Sequence, residues 1–217
     1  MYRLIFIDEE KDAIDAFKDY IDESQTDKMI EVKAFYPLKD LDEMIGQILK
    51  ENPDALVTDY NLNEKKTEIK YNVGYDGVEL AQKYLNLRED FPVFITTSYA
   101  DTAIQNSENV NIVYIKPTSE DEKASKVKFI DRLTQQILHY QSKLNNAEVR
   151  LKELLEQATK RDLNEKEESE LLRLDRIIEN SIDKLHAIPE ELKTMSNSRR
   201  VSQLIEKVDK LLQKIDR

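Results

Sequence analysis

The stretch DALVTDYNLN, residues 54–63, decides the fold. Ala55 to Thr58 form a short apolar and β-branched run that ends on one carboxylate, Asp59, and is followed by Tyr60-Asn61-Leu62-Asn63. Such a run, entered through Pro53-Asp54, predicts a strand with both faces buried. The acid at its end has three readings: a turn residue or helix cap, a nucleophile, or a metal ligand. Its partners elsewhere in the chain must choose among them.

Working outward, the same kind of run recurs. Leu4-Ile5-Phe6-Ile7 ends in Asp8-Glu9, Ile30 to Phe35 alternates as a strand does, Pro92 to Thr96 is apolar, and Val110 to Ile115 leads into Lys116-Pro117. Between these runs the apolar spacing changes to that of a helix. Ala13, Ile14, Phe17 and Ile21 form one stripe, Leu41, Met44, Ile45, Ile48 and Leu49 a second, and Val78 to Leu87 a third. A shorter helical segment is predicted over 101–108, and another helix after Pro117. Continuous apolar strands alternating with helices predict an α/β domain, a doubly wound five-stranded parallel sheet. In such folds ligands bind beyond the carboxyl ends of the strands.

The chain has 217 residues, room for one large domain or two smaller ones. It holds no cysteine, which rules out disulfides and thiolate zinc sites. The apolar start is too short for a signal peptide or a membrane span, and the expected location is cytoplasmic. Of the net charge of −11, all resides in residues 1–139, with 28 acidic against 17 basic side chains; residues 140–217 carry 16 of each. Neither half has the basic face that a nucleic-acid partner requires, and the Arg199-Arg200 pair does not supply one.

The character of the chain changes near residue 122. Ile130, Leu133, Ile137, Tyr140, Leu144, Ala147, Leu151, Leu154 and Ala158 recur at alternating steps of three and four, a heptad seam. If helical throughout from about residue 122, this segment spans roughly 55 Å at 1.5 Å per residue. A second seam runs through Leu171, Leu174, Ile178, Ser181, Leu185 and Ile188, with Asn164 and Glu167 placed as a capping pair. After Pro189 a third runs through Val201, Leu204, Val208, Leu211 and Ile215, with Ser198 as its cap. The expected division is a domain over 1–125 and an all-α, coiled-coil-like region over 126–217, built as a long helix plus a helical hairpin.

At the predicted strand ends stand Asp8-Glu9, Asp59 with Asn61 two residues on, Thr97-Ser98, and Lys116. Three carboxylates converging on one sheet edge require positive charge between them. An all-oxygen donor set points to a hard cation such as Mg2+. A carboxylate beside Mg2+, a hydroxyl and a lysine is suited to accept a phosphoryl group. Asp59 is most simply read as that phosphoacceptor.

Over roughly the first 135 residues this pattern resembles the receiver domain of bacterial two-component response regulators. The resemblance is carried by FIDEE, ALVTDYNLN, GYDGVEL, PVFITTS and VYIKP, in the family's order. It implies that Asp59 is the phosphorylated aspartate and that Asp8, Glu9 and Asp59, with the backbone carbonyl of Asn61, hold Mg2+. It also implies that Thr97 is the switch hydroxyl, that Lys116 binds the phosphate, and that the Lys116–Pro117 peptide is often cis. Three departures stand out. The connection after Asp59 is longer than the family's, with residues 63–73 (NEKKTEIKYNV) inserted. The position three before Lys116, often aromatic in the family, is Val113, while Tyr114 should face the other way. The helix between Thr97 and Val110 is short.

The tail shows no helix-turn-helix with a basic face, no glycine-rich phosphate loop and no nucleophile–base pair; His139 and His186 are isolated. The resemblance therefore implies a non-enzymatic regulator. A histidine kinase or phosphotransfer protein would phosphorylate Asp59, and the helical tail would bind a protein partner or a second copy of the chain. Two other readings stay open: a constitutive scaffold with a receiver-like platform, and a Mg2+-dependent phosphatase. The second lacks an acid two residues after the nucleophile, where Asn61 stands.

Overall fold

A computed structural model describes residues 1–24, 29–64, 68–98, 112–117, 127–185 and 187–188. The expected helix over 101–108, the segment after Pro117, His186, and the Ser198-capped third seam with Arg199-Arg200 lie outside the described residues.

The chain alternates β1 (Tyr2–Ile7), α1 (Lys11–Ser24), β2 (Ile30–Phe35), α2 (Leu41–Lys50), β3 (Ala55–Asp59), α3 (Gly77–Leu87), β4 (Val93–Thr97) and β5 (Val113–Ile115). The strands form one all-parallel sheet in the order β2-β1-β3-β4-β5. This is the doubly wound, flavodoxin-like topology, with its switch point between β1 and β3. Every residue of β3 and β4 is buried, whereas the edge strands β2 and β5 are largely half-exposed. That gradient is why the central strands read as unbroken apolar runs and β2 as an alternation.

Two long helices follow, α4 (Phe129–Ala158) and α5 (Glu165–Asp183). At 30 residues α4 is roughly 45 Å long, and it begins at Phe129, one residue before the first seam position, rather than near residue 122. Val127 and Lys128 are not helical, and the Lys128 N–H donates to the Asp131 carboxylate at 2.9 Å, which closes the first turn. The chain is therefore not helical throughout from about residue 122, because Val127 and Lys128 break it.

The chain divides into two compact units, Met1–Lys143 and Leu144–Arg217. In the first, Phe129, Ile130, Leu133 and Ile137 of α4 join Leu4, Phe6, Phe17, Ala55, Val57 and Phe94 in the core. The Phe129 ring sits 5.5 Å from both Phe94 and Tyr114, and the Ile130 N–H donates to the Tyr20 hydroxyl at 3.2 Å. In the second unit Ala147 and Leu154 pack with Leu174, flanked by Leu151, Leu171, Ile177 and Ile178. The six-residue connection from Thr159 to Asn164 folds α4 and α5 into a hairpin. Asn164 caps α5 in a complete capping box with Glu167, as the NEKE pattern indicates. Arg150 forks onto both carboxylate oxygens of Glu170, at 2.9 and 3.0 Å. The second seam ends earlier than its spacing implied. Helix α5 stops at Asp183, and Leu185 and Ile188 are exposed beyond it.

Candidate functional site

The register of the sheet builds the site. Ile7 of β1 pairs with Thr58 of β3, so Asp8 leaves its strand beside Asp59. Asp59 pairs with Thr96 of β4, and Thr97 with Ile115 of β5, so Thr97 and Lys116 emerge at the same edge. The Lys116 N–H also donates to the Thr97 carbonyl at 2.9 Å.

Lys116 Nζ lies 3.0 Å from Asp8 Oδ2 and 2.9 Å from Asp59 Oδ1. Each aspartate uses its other oxygen to accept a main-chain N–H two residues on. Asp8 Oδ1 takes Glu10 N–H at 2.9 Å, and Asp59 Oδ2 takes Asn61 N–H at 3.1 Å. Both carboxylates are thus held in one orientation. Burial pushes Asp59 up to about 7; the Lys116 ammonium opposes this, the neighbouring Asp8 adds to it, and the Asn61 N–H lowers it slightly. Asp8 is raised in the same way, by burial working against Lys116 and the Glu10 N–H. Burial pulls the Lys116 ammonium down, but Asp59 and Asp8 together more than reverse this and hold it above its usual value.

Glu9 is 2% exposed, and its Oε1 accepts the N–H of Glu64 at 2.8 Å. Asp8, Glu9 and Asp59 together carry more negative charge than one lysine balances. Among the described residues no three His, Cys, Asp or Glu side chains gather tightly enough to enclose an ion. Mg2+ takes oxygen donors and commonly keeps several of its waters, so a site for it needs no closed cage of side chains.

Thr97 is 2% exposed at the end of β4. Tyr114 turns into the core, its ring 5.5 Å from Phe94 and from Phe129, as its place one step after Val113 implies. The Lys116–Pro117 peptide is trans, since no cis peptide occurs among the described residues.

Two contributors have no role assigned by the motifs, although the first lies within GYDGVEL. The first is Gly77, which begins α3 directly behind Asp59. Its N–H donates to the Tyr60 carbonyl at 2.8 Å, and a Cβ there would collide with the Asp59 carbonyl. Asp76 and Glu79 cap this helix reciprocally, a pattern visible in DGVE. The second is Glu64, whose contact with Glu9 spans 55 residues and has no local signature.

No protein-family model and no curated protein matches the chain. Among solved structures it is similar to a two component transcriptional regulator AraC from Clostridium phytofermentans ISDg, with a TM-score of 0.43 and 21% identity over 65% of this chain and 98% of that one. It is similar also to the anti-anti-sigma factor PhyR from Bartonella quintana, with a TM-score of 0.43 and 16% identity over 67% of this chain and 51% of that one. RcsB from Salmonella enterica serovar Typhimurium, solved bound to promoter P1flhDC, gives a TM-score of 0.37 and 20% identity over 80% of this chain and 76% of that one. What defines the fold here is the strand order and register.

Proposed function

We propose that the first compact unit is a phosphoacceptor receiver domain and that the helical tail carries its output. The observation that bears most weight is the Lys116 ammonium, within 3.0 Å of both Asp8 and Asp59 at the carboxyl edge of the sheet. A carboxylate ending the central strand, buried and aligned by the Asn61 N–H, is a positioned nucleophile. In the proposed step an oxygen of Asp59 attacks the phosphorus of a phosphohistidine on a kinase or phosphotransfer protein. The P–O bond forms as the P–N bond breaks, and the imidazole leaves with the electron pair. Lys116 meets the charge on the phosphoryl oxygens. Asp8, Glu9 and Asp59, with the Asn61 carbonyl, would hold Mg2+, which when bound supplies the positive charge the carboxylates lack. Thr97 would offer its hydroxyl to the phosphorylated state.

The chain's own chemistry ends there; no turnover of an external substrate is proposed. The partners are a histidine kinase or phosphotransfer protein at the site, and a protein partner or a second copy of the chain at the tail.

The test is incubation with a small phosphodonor and Mg2+, read by intact mass. The expected result is gain of one phosphoryl group, lost in Asp59→Asn and in chelator. Absence of the gain in wild type, or its persistence in Asp59→Asn, would reject the reading and leave a constitutive scaffold.

A further inference from the structure

The described residues between β3 and α3 pack into the domain. Leu62, Ile69, Val73 and Tyr75 are buried. Tyr71 donates its hydroxyl to the Pro37 carbonyl at 2.9 Å, and Tyr75 to the Leu38 carbonyl at 2.8 Å, tying the segment to the turn after β2. The Asn63 side chain accepts the Val73 N–H at 3.0 Å and closes the segment on itself. The next residue after Asn63 delivers its N–H to Glu9 Oε1.

We propose that Glu64 is a positioning residue of the cation site, its main-chain N–H setting the orientation of the Glu9 carboxylate. This rests on the receiver reading above. Carboxylates that bind metals are themselves held by hydrogen bonds, and losing such a partner commonly weakens metal binding about 10- to 100-fold. A main-chain donor suits the task. It cannot rotate away, and it brings no full charge to compete with the cation. The two tyrosine hydroxyls and the Asn63 contact hold that donor where Glu9 needs it. Glu64 acts through Glu9 and is a positioning residue.

The experiment is titration of the metal-stripped full-length chain with Mg2+ by calorimetry. Glu64→Pro deletes the N–H, whereas Glu64→Ala keeps it and removes only the side chain. The expected result is Mg2+ binding at least about 10-fold weaker in Glu64→Pro and unchanged in Glu64→Ala. Proline also restrains Asn63, so a Tyr71→Phe, Tyr75→Phe double variant provides a milder second arm. It loosens the anchors without altering the backbone and is expected to weaken binding in the same direction. It also decides the matter if Glu64→Pro does not fold. Wild-type affinity in both arms, or equal weakening by Glu64→Pro and Glu64→Ala, overturns the proposal and leaves the phosphoacceptor reading standing. Failure of the wild type to bind Mg2+ overturns both.

Discussion

Asp54 and Asp59 stand at opposite ends of β3, and their surroundings give them different work. Asp54 accepts the Arg3 N–H and the Gln141 side-chain amide, each at 2.8 Å, and so fastens β1 and α4 to the base of the sheet. Asp59 is buried beside Lys116 and raised from 3.8 to about 7. A raised carboxyl keeps in the folded state a proton that the unfolded chain has already released. Its contribution to stability is complete below about 4 and is lost as pH climbs to about 7. Urea unfolding in chelator is expected to show it: the stability of wild type relative to Asp59→Asn declines across that window. Parallel pH profiles would count against a raised Asp59. The glycines offer a sharper contrast. Gly77→Ala drives a methyl into the Asp59 carbonyl and is expected to cost about 1–3 kcal/mol and to abolish phosphoryl uptake. Gly46→Ala, within α2 with nothing within 4 Å of the added carbon, is expected to stabilise by roughly 0.4–1 kcal/mol with uptake unchanged. Denaturation midpoints and intact mass read both.

At the scale of the element, α4 puts one seam to two uses. Its first turns cover the sheet, with Leu133 and Ile137 fully buried, and its later turns pack on α5 through Ala147 and Leu154. A constant step of three and four specifies a buried face but does not name what buries it. Phe129 anchors the start of the helix among Phe17, Tyr20, Phe94 and Tyr114. Phe129→Ala is expected to destabilise the first unit by about 3–5 kcal/mol. Asn164→Ala removes the cap of α5 and is expected to cost about 1 kcal/mol. Hydrogen exchange should localise this second loss to the first turns of α5. Uniform exchange across the chain would show that the cap does not act locally.

At the scale of the whole molecule, the boundary between the two compact units falls within α4, and the proposed output is a change in what the tail binds. Sedimentation with and without phosphodonor tests it: a shift in oligomeric state or partner binding that is absent in Asp59→Asn is expected, and identical behaviour would favour the scaffold. Much of this design could be read from residue order alone. The strand–helix alternation, the parallel sheet, the NEKE cap and the buried seam follow from short-range periodicity and from local hydrogen bonding, which depend on neighbours in the chain. Tertiary structure alone decided that Lys116 meets both Asp8 and Asp59, that the seam divides between two cores, that α4 starts at Phe129, and that Glu64 reaches Glu9. Those outcomes depend on register and packing between segments far apart in sequence, where no local pattern records which surface will be met.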